Sequence, residues 1–338
     1  MLGDMKLKYC EIYRYLGMIQ NNKNNMKDHI KYIKGKVEAA YQTILSIAGN
    51  SVFKNMEMST IWKLFETTIT AIITYACEAW NMNKGEMKEI NRIMDNIIKR
   101  ILMTPTSTPH DALYIETGLL DPETIYKKQL INMDHKLKTS SNERSRKITT
   151  ISGKNSWKER TQQVYDELEI TEPITGGRET VKQKIKAKTL QYFKKKINKE
   201  DSNVEVMSKT KFLLDGIHDW TPGKRSEYMN KLNRIDVSTI FKARTRMIDA
   251  KNNFRGKYRD LICRACQKDD ETQQHILEKC DVLHTEDITK VYSDEIFHED
   301  LKKLKKTAQK IRATLDKLYK IYEMHCSVRA ACDQAMCD

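Results

Sequence analysis

The stretch CRACQKDDETQQHILEKC, residues 263–280, places three cysteines and one histidine at the spacing C-x2-C-x8-H-x4-C. No other feature restricts the chain as tightly. Zinc takes four soft or borderline ligands in a tetrahedron, and a C-x2-C turn supplies two of them from one knuckle. Cys263 and Cys266 make that first pair, and His275 and Cys280 make the second. The gap QKDDETQQ is polar and is expected to loop outward, while Ile276 and Leu277 could form an apolar base beneath the metal. Four protein ligands leave no open position, so one structural zinc is expected. The bland alternative is four residues near one another by chance. Asp269 and Asp270 read as solvated loop carboxylates rather than as a catalytic acid pair.

The rest of the chain reads as mainly α, because only 12 glycines and 5 prolines interrupt its 338 residues. Residues 6–20 mix aromatic and β-branched side chains up to and beyond Gly17, which predicts one or two short strands. Apolar residues then recur every three or four positions from Met26 to Ala48, from Ile61 to Trp80 and from Met87 to Leu102. After the loop at 104–109, Thr108-Pro109 and Asp121-Pro122 each signal a helix start, with the polar residue as cap and proline at the first position. Residues 139–156 are polar and aperiodic, as in a linker. Helices are expected again over 157–168, 178–199, 205–215 and 225–250, and a last one carries Leu301 to Tyr322. The expected organisation is strands at 1–20, a helical bundle at 21–138, the linker at 139–156, a basic helical region at 157–260, the CCHC knuckle at 261–283 and a helical tail at 284–338.

A formal net charge of +14 points to a polyanionic partner. Two segments concentrate that charge. KQKIKAKTLQYFKKKINK, residues 182–199, holds eight lysines and no acid. With Val181, Ile185, Leu190 and Phe193 toward a core, Lys182, Lys186, Lys196 and Lys199 would gather on an exposed arc. The lead-in to the knuckle carries Arg244, Arg246, Lys251, Arg255, Lys257 and Arg259, interleaved with Phe254 and Tyr258. Cations there could neutralise phosphates and the rings could stack on unpaired bases. The competing reading for both segments is a solvated helix face.

No run resembles a signal peptide or a membrane span, which makes an intracellular protein, nuclear or cytoplasmic, the expectation. In such a reducing compartment, clustered cysteines suggest metal before disulfides. The tail set His325, Cys326, Cys332 and Cys337 lacks a short knuckle pair and is not expected to form a second site.

Several landmarks together resemble the C-terminal part of a non-LTR (LINE-type) retrotransposon reverse transcriptase. YRYLG at 13–17 is similar to the strand motif that grips the primer end, so Tyr15, Leu16 and Gly17 take a primer-grip-like role by resemblance. HIKYIKGKVEAAYQTILSI and LFETTITAIITYACEAW resemble the thumb helices, and IKRILMTPTSTPHDALYIETGLLDP the segment beyond them. NNFRGKYRDLICRACQKDDETQQHILEKC resembles the family's C-terminal zinc knuckle with its approach. The palm aspartates of such polymerases, commonly in a Tyr/Phe-Ala-Asp-Asp motif, should precede YRYLG, and the twelve residues before Tyr13 hold only Asp4. Polymerisation uses metal-assisted in-line displacement. The resemblance therefore implies a non-catalytic part that binds RNA or DNA, with a longer or second chain needed to supply a palm. A helical zinc-knuckle scaffold that binds a protein partner is the alternative.

Overall fold

A computed structural model describes residues 9–23, 25–48, 57–172, 174–200, 206–217 and 220–335, with no account of the side chains at 47–48, 287 and 328–335. Cys332 and Cys337 thus fall outside the described side chains. The fold is mainly helical, with one two-stranded antiparallel hairpin near the N-terminus.

The hairpin pairs Ile12–Tyr15 with Met18–Asn21, in the register Ile12 with Asn21 and Tyr15 with Met18. Leu16 and Gly17 form its two-residue turn, both with positive φ (46° and 85°). That conformation matches the right-handed twist of the paired strands and is costly for leucine. Tyr13, Tyr15 and Leu16 are exposed.

The first helix, Lys27–Ala48, buries Ile30, Ile33, Val37, Tyr41 and Ile44, the stripe its periodicity predicts. The segment read as one helix to Trp80 is broken up. It is α-helical over Met58–Leu64, widens to a π-turn over Phe65–Thr70 and resumes over Ala71–Thr74. Thr67 and Thr74 hydroxyls bond back to the carbonyls of Lys63 and Thr70 (2.8 Å each), a competition that loosens the backbone ladder. Ala76, at φ 51°, then ends the run. Lys84–Ile101 opens with a capping box formed by Asn83 and Glu86.

Asp121 caps Pro122–Lys138 as expected, accepting from Thr124 N at 2.7 Å with proline at the first position. The other proline signal falls one residue off. His110–Thr117 starts after Pro109, and the Thr108 hydroxyl bonds Pro105 O instead of capping. The polar stretch 139–156 contains a short exposed helix, Glu143–Ile148. Trp157–Glu167, Arg178–Asn198 and Ser208–Gly216 follow.

The single helix expected over 225–250 is two, Tyr228–Lys231 and Arg234–Arg244. Leu232 is extended, and Asn233 caps the second helix by accepting from Asp236 N. The break lets this segment pair with the early part of the chain. Glu57 bridges Asn233, and Trp62 Nε1 donates to Met229 O at 3.1 Å. The last helix runs Leu301–Ala335, longer than its apolar stripe suggested.

One apolar core continues from Ile30 through Trp62, Leu113, Phe193 and Ile240 to Ile276 and Leu318. It crosses the boundaries expected at 138 and 156, so those stretches are surface connections around shared packing. A small satellite core gathers Leu130, Ile131, Val164, Leu168, Val181 and Ile185. Among the described residues, no helix is long and apolar enough to cross a membrane.

Candidate functional site: a Cys/His cluster beside a basic cleft

Residues 261–271 fold back on themselves. Ile262 bridges Asp270, Cys263 N donates to Asp269 O (2.7 Å) and Glu271 N to Leu261 O (2.6 Å). Gln267, at φ 55°, closes the turn. Cys263 and Cys266 therefore sit on one knuckle. The short helical turn His275–Lys279 delivers His275 at one end and Cys280 just past the other. The four side chains come together, with every ligand atom within 4.8 Å of the others. Cys266 Sγ lies 3.3 Å from His275 Nε2. This group could hold a metal ion.

The surroundings suit that role. Ile276 and Leu277 are buried beneath the cluster. Asp269 Oδ2 lies 3.9 Å from His275 Nδ1, the ring nitrogen turned away from Cys266, where a carboxylate can orient a ligating imidazole. Interaction with Cys280 and burial raise the Cys263 thiol, whereas Cys263 lowers Cys280. The two sulfurs thus compete for a proton that a bound cation would displace.

One residue of the supposedly outward gap departs from expectation. Glu271 is fully buried. It accepts from Lys251 N (3.0 Å) and Arg264 N (2.8 Å), and from the Arg264 guanidinium (2.7 Å from Nη2). Arg264 also pairs with Asp249 at 3.2 Å, and Asp249 accepts from Tyr319 OH of the tail helix at 2.8 Å. Glu271, Arg264 and Asp249 thereby bolt the knuckle to its lead-in and to the tail. No motif flags them, because their partners are set by tertiary packing.

The basic residues separate into outer and inner sets. Arg246, Arg255, Lys257 and Arg259 are exposed, and Phe254 lies between two ammonium groups, Lys209 and Lys257, each 5.3 Å from its ring. Lys251 pairs with Asp260 (2.6 Å), and Tyr258 OH donates to Asp249 (3.3 Å). Arg244 is buried, paired with Glu116 at 3.2 Å and donating to Ile296 O at 2.7 Å. It lies in the core rather than at a surface.

On the lysine helix, Lys182 and Lys186 are exposed as expected. Lys196 is not on that arc. It follows the buried Phe193 by three positions, which turns it inward to Asp121 (2.6 Å) and Glu123 (2.7 Å). Lys199 ends the helix at φ 58° and lies 3.6 Å from Asp111. Tyr15, Leu16 and Gly17 are at the hairpin, where Gly17 approaches the Tyr75 ring.

Beside the knuckle lies a cleft of about 600 Å³ between Ser208–Gly216, the 251–257 turn, residues 272–278 and residues 291–296. Lys209, Arg246 and Arg255 line it with Phe212 and Tyr292. Lys209, Phe212 and Tyr292 escaped the sequence reading, since nothing in their local context marks them. Compared with family models, with curated proteins and with solved structures, the chain matches none.

Proposed function

We propose that this chain binds nucleic acid through a basic surface braced by one structural zinc, as the thumb-and-knuckle part of a non-LTR retrotransposon reverse transcriptase. The observation that carries the reading is the Glu271–Arg264–Asp249 link, buried at Glu271 and Arg264, which fixes the Cys/His cluster against the segment bearing Phe254, Arg255, Lys257 and Arg259. A metal there would hold the cations and rings in register. Zinc suits the donor set, since tetrahedral zinc with sulfur and imidazole ligands sets ligand–ligand separations of roughly 3.5–3.8 Å. The 3.3 Å between Cys266 and His275 and the 4.8 Å bound for the whole group sit close to that geometry. With all four positions taken by protein, the metal serves the fold and not a reaction.

Membership in the reverse transcriptase family rests on the order of the landmarks from YRYLG to the knuckle. The test is equilibrium binding to a structured RNA and to a single-stranded DNA across a salt series. Phosphate contacts release counterions, so affinity should fall steeply as salt rises. Absence of binding at low salt would sink the nucleic-acid reading and favour a scaffold that binds a protein partner.

A further inference from the structure

The cleft beside the knuckle has a lining that a general phosphate-binding surface does not need. Arg246 adopts φ 50°, a backbone conformation unfavourable for a long side chain. Its guanidinium stacks 4.1 Å above the Phe212 ring. Phe212 in turn meets Phe297 edge-on, with centroids 5.6 Å apart, so the platform beneath Arg246 is fixed. No carboxylate among the described residues pairs with Arg246 or Arg255. A planar guanidinium whose carbon sits 4.1 Å over a ring can offer its other face for stacking.

The same cleft offers acceptors. Gln273 Nε2 donates to Ala243 O at 2.8 Å, which fixes the amide's orientation. Its Oε1 is buried with no hydrogen-bond partner among the described residues. An orphaned buried acceptor costs about 1–3 kcal/mol. Glu278 adds a carboxylate to the lining. Inorganic phosphate has no ring to stack, and the Glu278 carboxylate in the lining would repel it. A nucleotide has both halves: a phosphate for Lys209, Arg246 and Arg255, and a base whose ring stacks and whose N–H groups donate. The volume of about 600 Å³ is within the usual range for small-ligand sites.

We propose that this cleft holds one unpaired nucleotide of a single strand, with its base stacked on Arg246 and Tyr292 at the rim. The inference rests on the nucleic-acid reading above and adds to it a preference for unpaired over paired strands. The Watson–Crick edge of a paired base is occupied by its complement, and within a duplex its faces are covered by the neighbouring base pairs, so neither is free for this cleft.

The test uses the full chain with zinc, a short labelled single-stranded RNA and the same RNA annealed to its complement. Arg246→Gln combined with Arg255→Gln should weaken single-strand binding about tenfold or more. Duplex binding should fall by a smaller factor, because a duplex loses only the two charges and not the stacking. Arg246→Lys keeps the charge and loses the plane, so it should also lose the single-strand preference. Zinc content and circular dichroism serve as the folding checks, and both altered side chains are exposed. Equal weakening on both RNAs would overturn the proposal, leaving a plain basic surface. Unchanged single-strand binding in the variants would overturn it while the nucleic-acid reading stands. Binding of a free nucleoside monophosphate as tight as that of the strand would overturn the assignment to a strand. If the wild-type chain binds neither RNA at low salt, both readings fall together.

Discussion

The knuckle at 263–280 and the lysine helix at 178–198 were both conspicuous in the sequence, yet the fold treats them differently. The knuckle's three cysteines and one histidine come from 18 consecutive residues and meet through a local turn. The lysine helix is decided by partners far away in sequence. Lys196 meets Asp121 and Glu123, and Lys127 from the same distant segment bonds Tyr192. A ligand spacing carries its own geometry, whereas a run of like charges carries only a count. One lysine of such a run can be solvated while another, ten residues on, sits in a polar core.

The largest expected effect would break the knuckle alone. Cys263→Ser should reduce bound zinc from one ion per chain toward none and remove hydrogen-exchange protection over 261–283, with Lys27–Ala48 and Lys84–Ile101 still protected. Elemental analysis with exchange mass spectrometry reads both. Loss of protection in all three regions would show that the knuckle supports the entire fold.

The bolt between knuckle and lead-in is next. Glu271→Ala leaves the buried Arg264 without its closest counter-charge and should cost about 3–5 kcal/mol in urea unfolding. Lys196→Met on the other side of the comparison exposes the same physics. It removes the nearest counter-charge of the fully buried Asp121, leaving only His110 at 3.5 Å, and should cost about 2–4 kcal/mol. If Lys196→Met costs under about 0.5 kcal/mol, as exposed lysines do, then the lysine helix is a solvated surface throughout.

The same polar core should also respond to pH. His110 lies 2.8 Å from Asp95 and 3.5 Å from Asp121. Burial disfavours its charge, but hydrogen bonds and attraction from Asp121 and Asp95 outweigh that and raise its pKa to about 9. An unfolded histidine titrates near 6.5. The stabilisation from charged His110 is therefore complete below about pH 6.5 and is lost as pH rises through about 9. Melting temperature should fall over that window in the wild type and stay flatter in His110→Gln.

The smallest effect concerns the lysines that do face solvent. Lys182→Gln with Lys186→Gln should leave stability within about 0.5 kcal/mol. If both contact phosphate, the slope of log affinity against log salt should flatten by roughly two units. An unchanged slope would mark the exposed half of this helix as a solubilising face.

Legibility in the sequence followed the range of the interactions. The stripes at 27–48 and 84–101, the Asp121-Pro122 cap and the Cys/His set are local, and each was readable. The π-turn at 65–70 and the break at Leu232–Asn233 were not, because threonine back-bonding and pairing with Glu57 override an unbroken apolar period. Arg244 and Lys196 looked like surface cations because their counter-charges, Glu116 and Asp121, lie 128 and 75 residues away. Glu271 looked like one more acid in a polar loop. Its burial follows from Arg264, and that of Arg264 from the tail helix.

The bond from Trp62 to Met229 spans 167 residues, and Trp62 is fully buried. During synthesis at roughly 5–20 residues per second, about 8–33 s separate the appearance of the two partners. Over that interval the nascent chain carries the apolar surface of Trp62 and its neighbours without the segment that covers it. Completion of the core is thus a late event of translation, and the exposed early helices are natural clients for a chaperone until residues 228–233 emerge.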